Sequence, residues 1–456
     1  MITAPTERLS FREKFAYGLG DTASNFYFQA FNLFLFYYYT DIFGLSAAAV
    51  GWMILGARAL DAVLDPLMGI VADRTNTRWG KFRPYLLWGA LPYGVIGYLM
   101  FANPALSAHG KLIYACVTYS LMWVAYTAIN IPYSALMGVM SPSSEDRTSL
   151  STYRFACAFT GQLLIGSLVL PLKNLLGGSN PADGFRYTMA LFSVVSVAMF
   201  LYTFFQTRER VQPPPQQDKS LKTDLRQLFS NGPWLVLFFA AFLTLANVGV
   251  RNASIIFYFK YIVGDESKFT LFSMLGSIAF IAGAMSTGFF RKFASRRTLM
   301  IWLTSLNALA MAAFYFVDPR NIVLLHVLNI VGTFLVGPTP AIVWSLYADT
   351  ADFGEWKFGR RTTALVFSAA VFAQKVGLAV GSWLLGVILA ACGFAANAAQ
   401  GPRALTGILL AFSLIPAAFA LLSGLAIIFY RLDDAQVRQV EQDLAARKGL
   451  APAPVG

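Results

Sequence analysis

Apolar residues run almost without interruption through twelve stretches of this chain, at about 15–41, 47–73, 83–103, 110–140, 148–172, 184–206, 233–262, 269–290, 298–317, 321–348, 362–391 and 404–430. Each reaches the roughly 20 residues that a helix needs to cross a bilayer core, and the longer ones imply tilt or extension beyond it. The pattern predicts an all-α membrane protein of twelve transmembrane helices. An even count places both termini on one side.

The longest polar interval, about 207–232, holds Pro213, Pro214, Pro215, Gln216 and Gln217 among mixed charges, a linker composition. It sorts the chain into an N-terminal six-helix half (1–206), a cytoplasmic linker (207–232), a C-terminal six-helix half (233–431) and a cytoplasmic tail (432–456). The halves echo one another weakly. A basic turn follows the second helix of each, Arg74 to Arg83 and Arg291 to Arg297. The fourth helix of each carries a small-polar-Pro stretch, Ile131-Pro132-Tyr133-Ser134 and Thr339-Pro340 through Trp344-Ser345. Two six-helix repeats resemble the major facilitator superfamily, in which substrate is held near the midplane between the halves.

Composition agrees with a membrane protein: 57% of the 456 residues are apolar and 13% are charged, about half the charge of a soluble protein. Three scattered cysteines (Cys116, Cys157, Cys392) make no disulfide framework or metal site. The net charge of +12 would suggest nucleic acid in a soluble chain, so its distribution decides. Alternate polar intervals hold 24 Lys and Arg in one set, which includes both termini and the central linker, and six in the other. The positive-inside rule makes the 24-charge face cytoplasmic, and no nucleic-acid partner is needed to explain the charge. Residues 1–14 are polar and the first apolar run exceeds a signal-peptide core, so no cleavable signal is expected.

Against this background the charges inside spans stand out. Asp61 and Asp65 lie at i and i+4 on the second predicted helix, with Arg58 three residues before the first, so all three share a face. Charge within hydrocarbon is costly, which makes such a cluster a functional-site hypothesis by default. Two neighbouring carboxylates in a low-dielectric cleft do not both ionise cheaply, so the pair can load and release H+ or ligate Na+. On the first helix Tyr17, Asp21, Asn25 and Gln29 recur every four residues, with Asn32 beyond them, a polar face suited to a water-filled cavity. Asp21 with Arg154 on the fifth helix is a candidate clamp for hydroxyl groups, or an ion pair that bridges helices one and five. Lys375 is a central ammonium on the eleventh helix, which must find a carboxylate, a sugar oxygen or water.

Several strings resemble the glycoside-pentoside-hexuronide:cation symporters, the melibiose permease group: Phe15 to Asp21, Tyr37-Tyr38-Tyr39-Thr40-Asp41, Ala57 to Gly69, Arg78-Trp79-Gly80-Lys81-Phe82-Arg83-Pro84, Asn130-Ile131-Pro132-Tyr133 and Asp352 to Trp356. They occur in order along the whole chain and look closest to the bacterial xyloside-type or uncharacterised branch. The resemblance implies inward symport of a sugar or glycoside with a proton or sodium ion, in a bacterial inner membrane, by a monomer without cofactor. It adds Thr127 to the cation site. It also implies sugar contacts at Asp21, Asn25, Tyr126, Asn130, Arg154, Trp344 and Lys375, with Trp123, Tyr133 and Trp344 as stacking candidates. Two departures tilt the ion toward H+: Leu64 stands where melibiose permease has Asn, and Asn130 replaces an intramembrane Asp. Fewer ligands weaken a Na+ site at Asp61 and Asp65 more than a proton site.

Cytoplasmic charges Asp73, Arg74, Arg78, Lys81 and Arg83, with Glu145, Asp146 and Arg147, read as gating or structural ion pairs, as do Asp349, Asp352, Glu355 and Arg361. An ATP-driven pump is disfavoured because no Gly-x-x-x-x-Gly-Lys-[Ser/Thr] loop exists. An enzyme is disfavoured because His109 and His326 are the only histidines and no nucleophile–base cluster is visible. A sugar uniporter, or a lipid or other organic-solute carrier of the same fold, is the alternative reading.

Overall fold

The protein was analysed as a computed structural model, which describes residues 9–141, 144–210, 226–359 and 363–447. Pro213 to Gln217, Arg361 and the last residues of the tail lie outside that set. Among the described residues the only β-type pairing is an isolated bridge between Thr77 and Gly80. Everything else ordered is helix. In chain order these are α1 (Phe11–Ala30), α2 (Ala47–Arg74), α3 (Pro84–Met100), α4 (Ala108–Met140), α5 (Ser144–Gly177), α6 (Pro181–Gln206), α7 (Gly232–Phe257), α8 (Lys268–Met285), α9 (Arg296–Ala313), α10 (Ile322–Val336), α11 (Thr339–Phe358), α12 (Thr363–Ala391), α13 (Pro402–Phe412), α14 (Leu414–Ile428) and α15 (Asp434–Arg447).

Helix starts follow from capping chemistry. Ser10 and Glu13 form a reciprocal capping box at α1, and the side chains of Ser46, Ser107, Asn180, Asn231, Ser295 and Asn321 each accept a backbone N–H at the start of a helix. Each of the twelve apolar stretches coincides with helix to within a few residues. Among the described residues nine spans are long and apolar enough to cross a membrane, with α10–α11 and α13–α14 each counted as one. The remaining stretches fall short for visible reasons: α1 carries Arg12, Glu13, Lys14 and Asp21, α3 has 17 residues, and α9 opens on Arg296 and Arg297.

The wider π-helical turns were not legible in the apolar pattern. They continue α1 at Phe31–Leu35 and Tyr38–Ile42, and α7 at Tyr258–Val263. Such turns widen the hydrogen-bond ladder and re-aim side chains, commonly at functional positions.

Packing divides the chain into two compact units. The first gathers Met1–Gln216 with Phe259–Met274 and Leu389–Gly401; the second gathers Gln217–Tyr258, Leu275–Ile388 and Pro402–Gly456. In the first unit α1 packs along α5 and α6, and α4 bridges α2 and α3. Large apolar side chains such as Trp52, Leu67, Trp88 and Val194 point outward from it, as a lipid-facing surface requires. In the second unit α7 and α12 approach so closely that a Cβ on Gly377 or Gly381 would lie 2.4 or 2.2 Å from a carbonyl oxygen of α7. Small residues permit this contact, which in a membrane supplies packing where the hydrophobic effect does not. The segment expected as a tail forms α15, whose buried Val437, Val440 and Leu444 face the unit while Asp443 accepts the Trp356 indole N–H at 2.8 Å.

The Arg78 to Pro84 string has a structural cause. Gly80 sits at φ +111°, and the backbone N–H groups of Lys81, Phe82 and Arg83 all donate to the Glu209 carboxylate, at 2.8, 2.7 and 2.9 Å. A side chain at residue 80 would meet that carboxylate at 2.5 Å. Gly80→Ala should therefore destabilise by about 1–3 kcal/mol through backbone strain and loss of this anion cradle. A melt of purified protein in detergent checks this, and an unchanged midpoint would refute it.

Candidate functional site

The geometry begins on α2. Asp61 and Asp65 share a face, and Thr127 on the adjacent α4 donates its hydroxyl toward both, 2.9 Å from Asp61 Oδ1 and 3.1 Å from Asp65 Oδ1. Asp61 is 0% exposed and Arg58 only 7%, with Arg58 Nη1 3.7 Å from Asp61 Oδ2. Asp65 is half-buried. Pro66, inside α2 next to Asp65, has no N–H to contribute to the helix ladder. A hydroxyl has one hydrogen. With two carboxylate oxygens at bonding distance, both contacts are fully met when one carboxyl carries a proton and donates it to Oγ1. The same oxygens suit a hard monovalent cation, and among the described residues no group of three or more His, Cys, Asp or Glu side chains is placed to hold a metal ion.

The second cluster joins α1, α4 and α5. Arg154 Nε is 3.3 Å from Asp21 Oδ2, and its Nη2 donates to Ser134 Oγ at 3.2 Å while the guanidinium stands 5.3 Å from the Tyr133 ring centroid. Tyr133 itself is buried and stacked on Tyr17 at 4.6 Å. Asn130 donates to Ser24 Oγ at 3.2 Å, Asn25 donates to the Asp21 carbonyl at 2.9 Å, and Gln29 reaches Gln162 at 3.4 Å. The polar face of α1 is thus turned toward α4 and α5, buried at Tyr17 and Asp21 and half-buried at Asn25 and Gln29. Tyr126 lies between the two clusters along α4, half-buried, with its ring stacked on Phe28 at 6.2 Å and edge-on to Trp123 at 5.2 Å. Hydrogen-bonding groups of both signs and an aromatic ring line one region of the first unit.

Residues 16–434 match the family described as MFS/sugar transport protein. The chain belongs to that family. This transporter is 38% identical to the inner membrane symporter YicJ of Escherichia coli K12, over 97% of its own length and 96% of that protein's. It is 33% identical to the isoprimeverose transporter of Lactiplantibacillus pentosus, over 96% and 93%. A solved D-xylose-proton symporter superposes with a TM-score of 0.66 at 16% identity, covering 91% of this chain and 97% of that one, which establishes the major facilitator fold. The transporter is accordingly not an enzyme.

Other anticipated residues lie elsewhere in the transporter. Lys375, half-buried on α12, and Trp344, half-buried on α11, belong to the second unit. One face of Trp344 is covered by Phe367 at 5.6 Å, so only the other is open to stacking. Trp123 is fully buried beneath Arg58, which removes it as a sugar platform. Arg74 and Arg78 are exposed, Arg78 beside the Trp79 ring, and Lys81 lies over Phe82 in the loop that Glu209 caps. Asp352 and Glu355 are half-buried on α11. In the same unit Arg296 pairs with Asp349 at 2.8 Å and with Asp434 at 2.9 Å. The side chains of Asp73, Glu145 and Arg147, like Arg361, lie outside the described residues.

A further cluster was not anticipated. At the far end of α1, buried Asp41 accepts Lys260 at 2.6 Å, the Tyr261 hydroxyl and Thr40, while Asn397 bonds Lys260 and the Asp41 carbonyl. Asn397 is the only non-glycine described with positive φ, 57°. Nearby Glu266 accepts Lys173 at 2.5 Å and Tyr37 at 2.8 Å. The Tyr37 to Asp41 string was visible, but its partners lie more than two hundred residues away, beyond any local pattern.

Two outcomes test these contacts. Thr127→Val removes a bond between a hydroxyl and charged groups, worth about 1.5–3 kcal/mol, and should weaken the apparent cation affinity of sugar uptake by roughly tenfold or more. Thr127→Ser should restore it; equal uptake curves for all three proteins would exclude a role for the hydroxyl. At Glu266, burial alone would raise the carboxyl pKa, but the bonds from Lys173 and Tyr37 reverse this and hold it below the ordinary 4.5. A depressed folded pKa stabilises above the unfolded value and is lost as pH falls through the folded one. The melting temperature difference between wild type and Glu266→Gln should therefore be constant from pH 7 to 5 and shrink below about 4.5; a difference that grows on acidification would contradict the assignment.

Proposed function

We propose that this protein is a secondary active transporter that carries a sugar or glycoside with a cation by alternating access, with H+ favoured over Na+. One observation carries the coupling reading: Thr127 bridges two carboxylates on a membrane-spanning helix beside a buried Arg58. Such charges are expensive in hydrocarbon and are retained where an ion must be bound and released. The family description supports the sugar, and the symporter named among its relatives supports coupled transport.

Asp21, Asn25, Tyr126, Asn130 and Arg154 are the sugar contacts of the first unit in this reading. Trp344 and Lys375 are the sugar contacts of the second unit in the same reading. The charge asymmetry of the polar intervals supports cytoplasmic termini in a bacterial inner membrane, with the protein working as a monomer in the bilayer. The division into halves at 207–232 belongs to the same proposal. For the ion, Leu64 and Asn130 offer neither an extra ligand nor an extra charge, and a single proton satisfies the Thr127 hydroxyl. A proton needs one titratable carboxylate; sodium needs several hard oxygens.

Uptake of methyl xyloside, glucoside, galactoside and glucuronide into proteoliposomes, under separately imposed H+ and Na+ gradients, tests the reading. Accumulation of at least one glycoside with the H+ gradient is expected. Failure to accumulate any with either gradient would reject symport, and counterflow alone would identify a uniporter. Asp65→Asn should abolish accumulation while leaving counterflow.

A further inference from the structure

Arg58 is an unusual occupant of a cation-coupling site, because it is itself a permanent cation. Its guanidinium carbon lies 3.6 Å from the centroid of the Trp123 ring on α4 while Nη1 is 3.7 Å from Asp61 Oδ2, and neither Nε nor Nη1 makes a hydrogen bond. A guanidinium free to reach a carboxylate normally closes to a bidentate pair at about 2.8 Å. Here it stays at 3.7 Å, although it follows the same helix one turn before Asp61. Trp123 is 0% exposed, and its Nε1 has no hydrogen-bond partner. What fixes the ring is packing: Tyr119 and Tyr126 meet it edge-on at 6.0 and 5.2 Å, and Phe31 lies at 5.8 Å. The ring is a rigid seat, and the cation resting on it is desolvated, the setting in which a cation–π contact is strongest.

We infer that Trp123 is a positioning residue for ion coupling: it seats Arg58 off the carboxylates, so that a mobile cation rather than the tethered guanidinium occupies the oxygens of Asp61, Asp65 and Thr127. Without the seat, Arg58 closes onto Asp61 and competes with the coupling ion from within. Of the proposed sugar contacts Tyr126 packs edge-on against Trp123, while Asp21 and Arg154 pair with each other, so coupling should suffer more than sugar exchange. This inference rests on the symport reading.

The experiment uses full-length protein in proteoliposomes and the methyl glycoside that wild type accumulates best. The readout is the ratio of gradient-driven accumulation to ion-independent counterflow, which a loss of folded protein does not move. Trp123→Leu and Trp123→Met remove the face, and either should lower the ratio by about tenfold, the scale of a buried cation–π contact. Trp123→Phe keeps a smaller face and should fall between them and wild type. A ratio within about twofold of wild type in the Leu and Met variants overturns the inference. So does an equal fall in the Phe variant, or loss of counterflow in step with accumulation in all three. If wild type itself accumulates no glycoside, the symport reading fails and the inference with it; a failure confined to the variants leaves symport standing.

Discussion

A charge removed from water must be compensated where it sits, and that constraint organises the interior of this protein. Asp61, fully buried on α2, is the sharpest case: Arg58, Thr127 and, through Arg58, Trp123 are all arranged around it. Apart from Arg58, which shares α2 with Asp61, these compensations cross from one helix to another and so also fix packing. Asp21 binds α1 to α5 through Arg154, and Asp41 binds the far end of α1 to Lys260 and Asn397. Apolar contacts do not specify such pairings, because lipid solvates an apolar side chain as well as another helix does. Polar contacts do, since an unpaired polar group has no alternative partner in hydrocarbon.

The same constraint explains what the sequence revealed. Twelve apolar stretches emerge as helices because backbone groups in lipid have no other way to satisfy themselves. Asp61, Asp65 and Arg58 were legible because an i, i+3 and i+4 spacing is a local property of one helix. Thr127 required the family resemblance: nothing in its own neighbourhood points at α2. Glu209, Asp41 and Glu266 escaped because Arg83, Tyr261 and Tyr37 lie 126, 220 and 229 residues away from them, at distances set by tertiary packing alone. Trp123 was visible, as packing or as a stacking candidate. An aromatic near a presumed sugar pocket suggests stacking, whereas the structure spends its face on Arg58.

Hydropathy by itself also undercounts the architecture. The stretches that fail a strict hydropathy criterion include α1, whose charges at Arg12, Glu13, Lys14 and Asp21 and polar Asn25 and Gln29 lower the apolar average. A span that works as part of a binding site is the one a hydropathy profile sees least well. The π-helical turns add to this: they place Tyr37, Asp41, Lys260 and Tyr261 at the far ends of α1 and α7, and no apolar periodicity announces them.

Charge counting narrows the ion further than ligand geometry does. Within the α2–α4 cluster Arg58 contributes one positive charge, and Asp61 and Asp65 together contribute two negative charges when ionised. The remainder is one negative charge, which a single monovalent cation neutralises and a divalent one would overshoot. Asp61 already has Arg58 beside it and no exposure, while Asp65 is half-buried and reaches the Thr127 hydroxyl from the other side. A cation that binds the cluster neutralises it and lowers the cost of carrying it through a closed, dry conformation. In the proposed reading, a single monovalent cation is the load that this charge balance favours. The protonated carboxyl bridged to Thr127 is the smallest arrangement of these residues that meets that requirement.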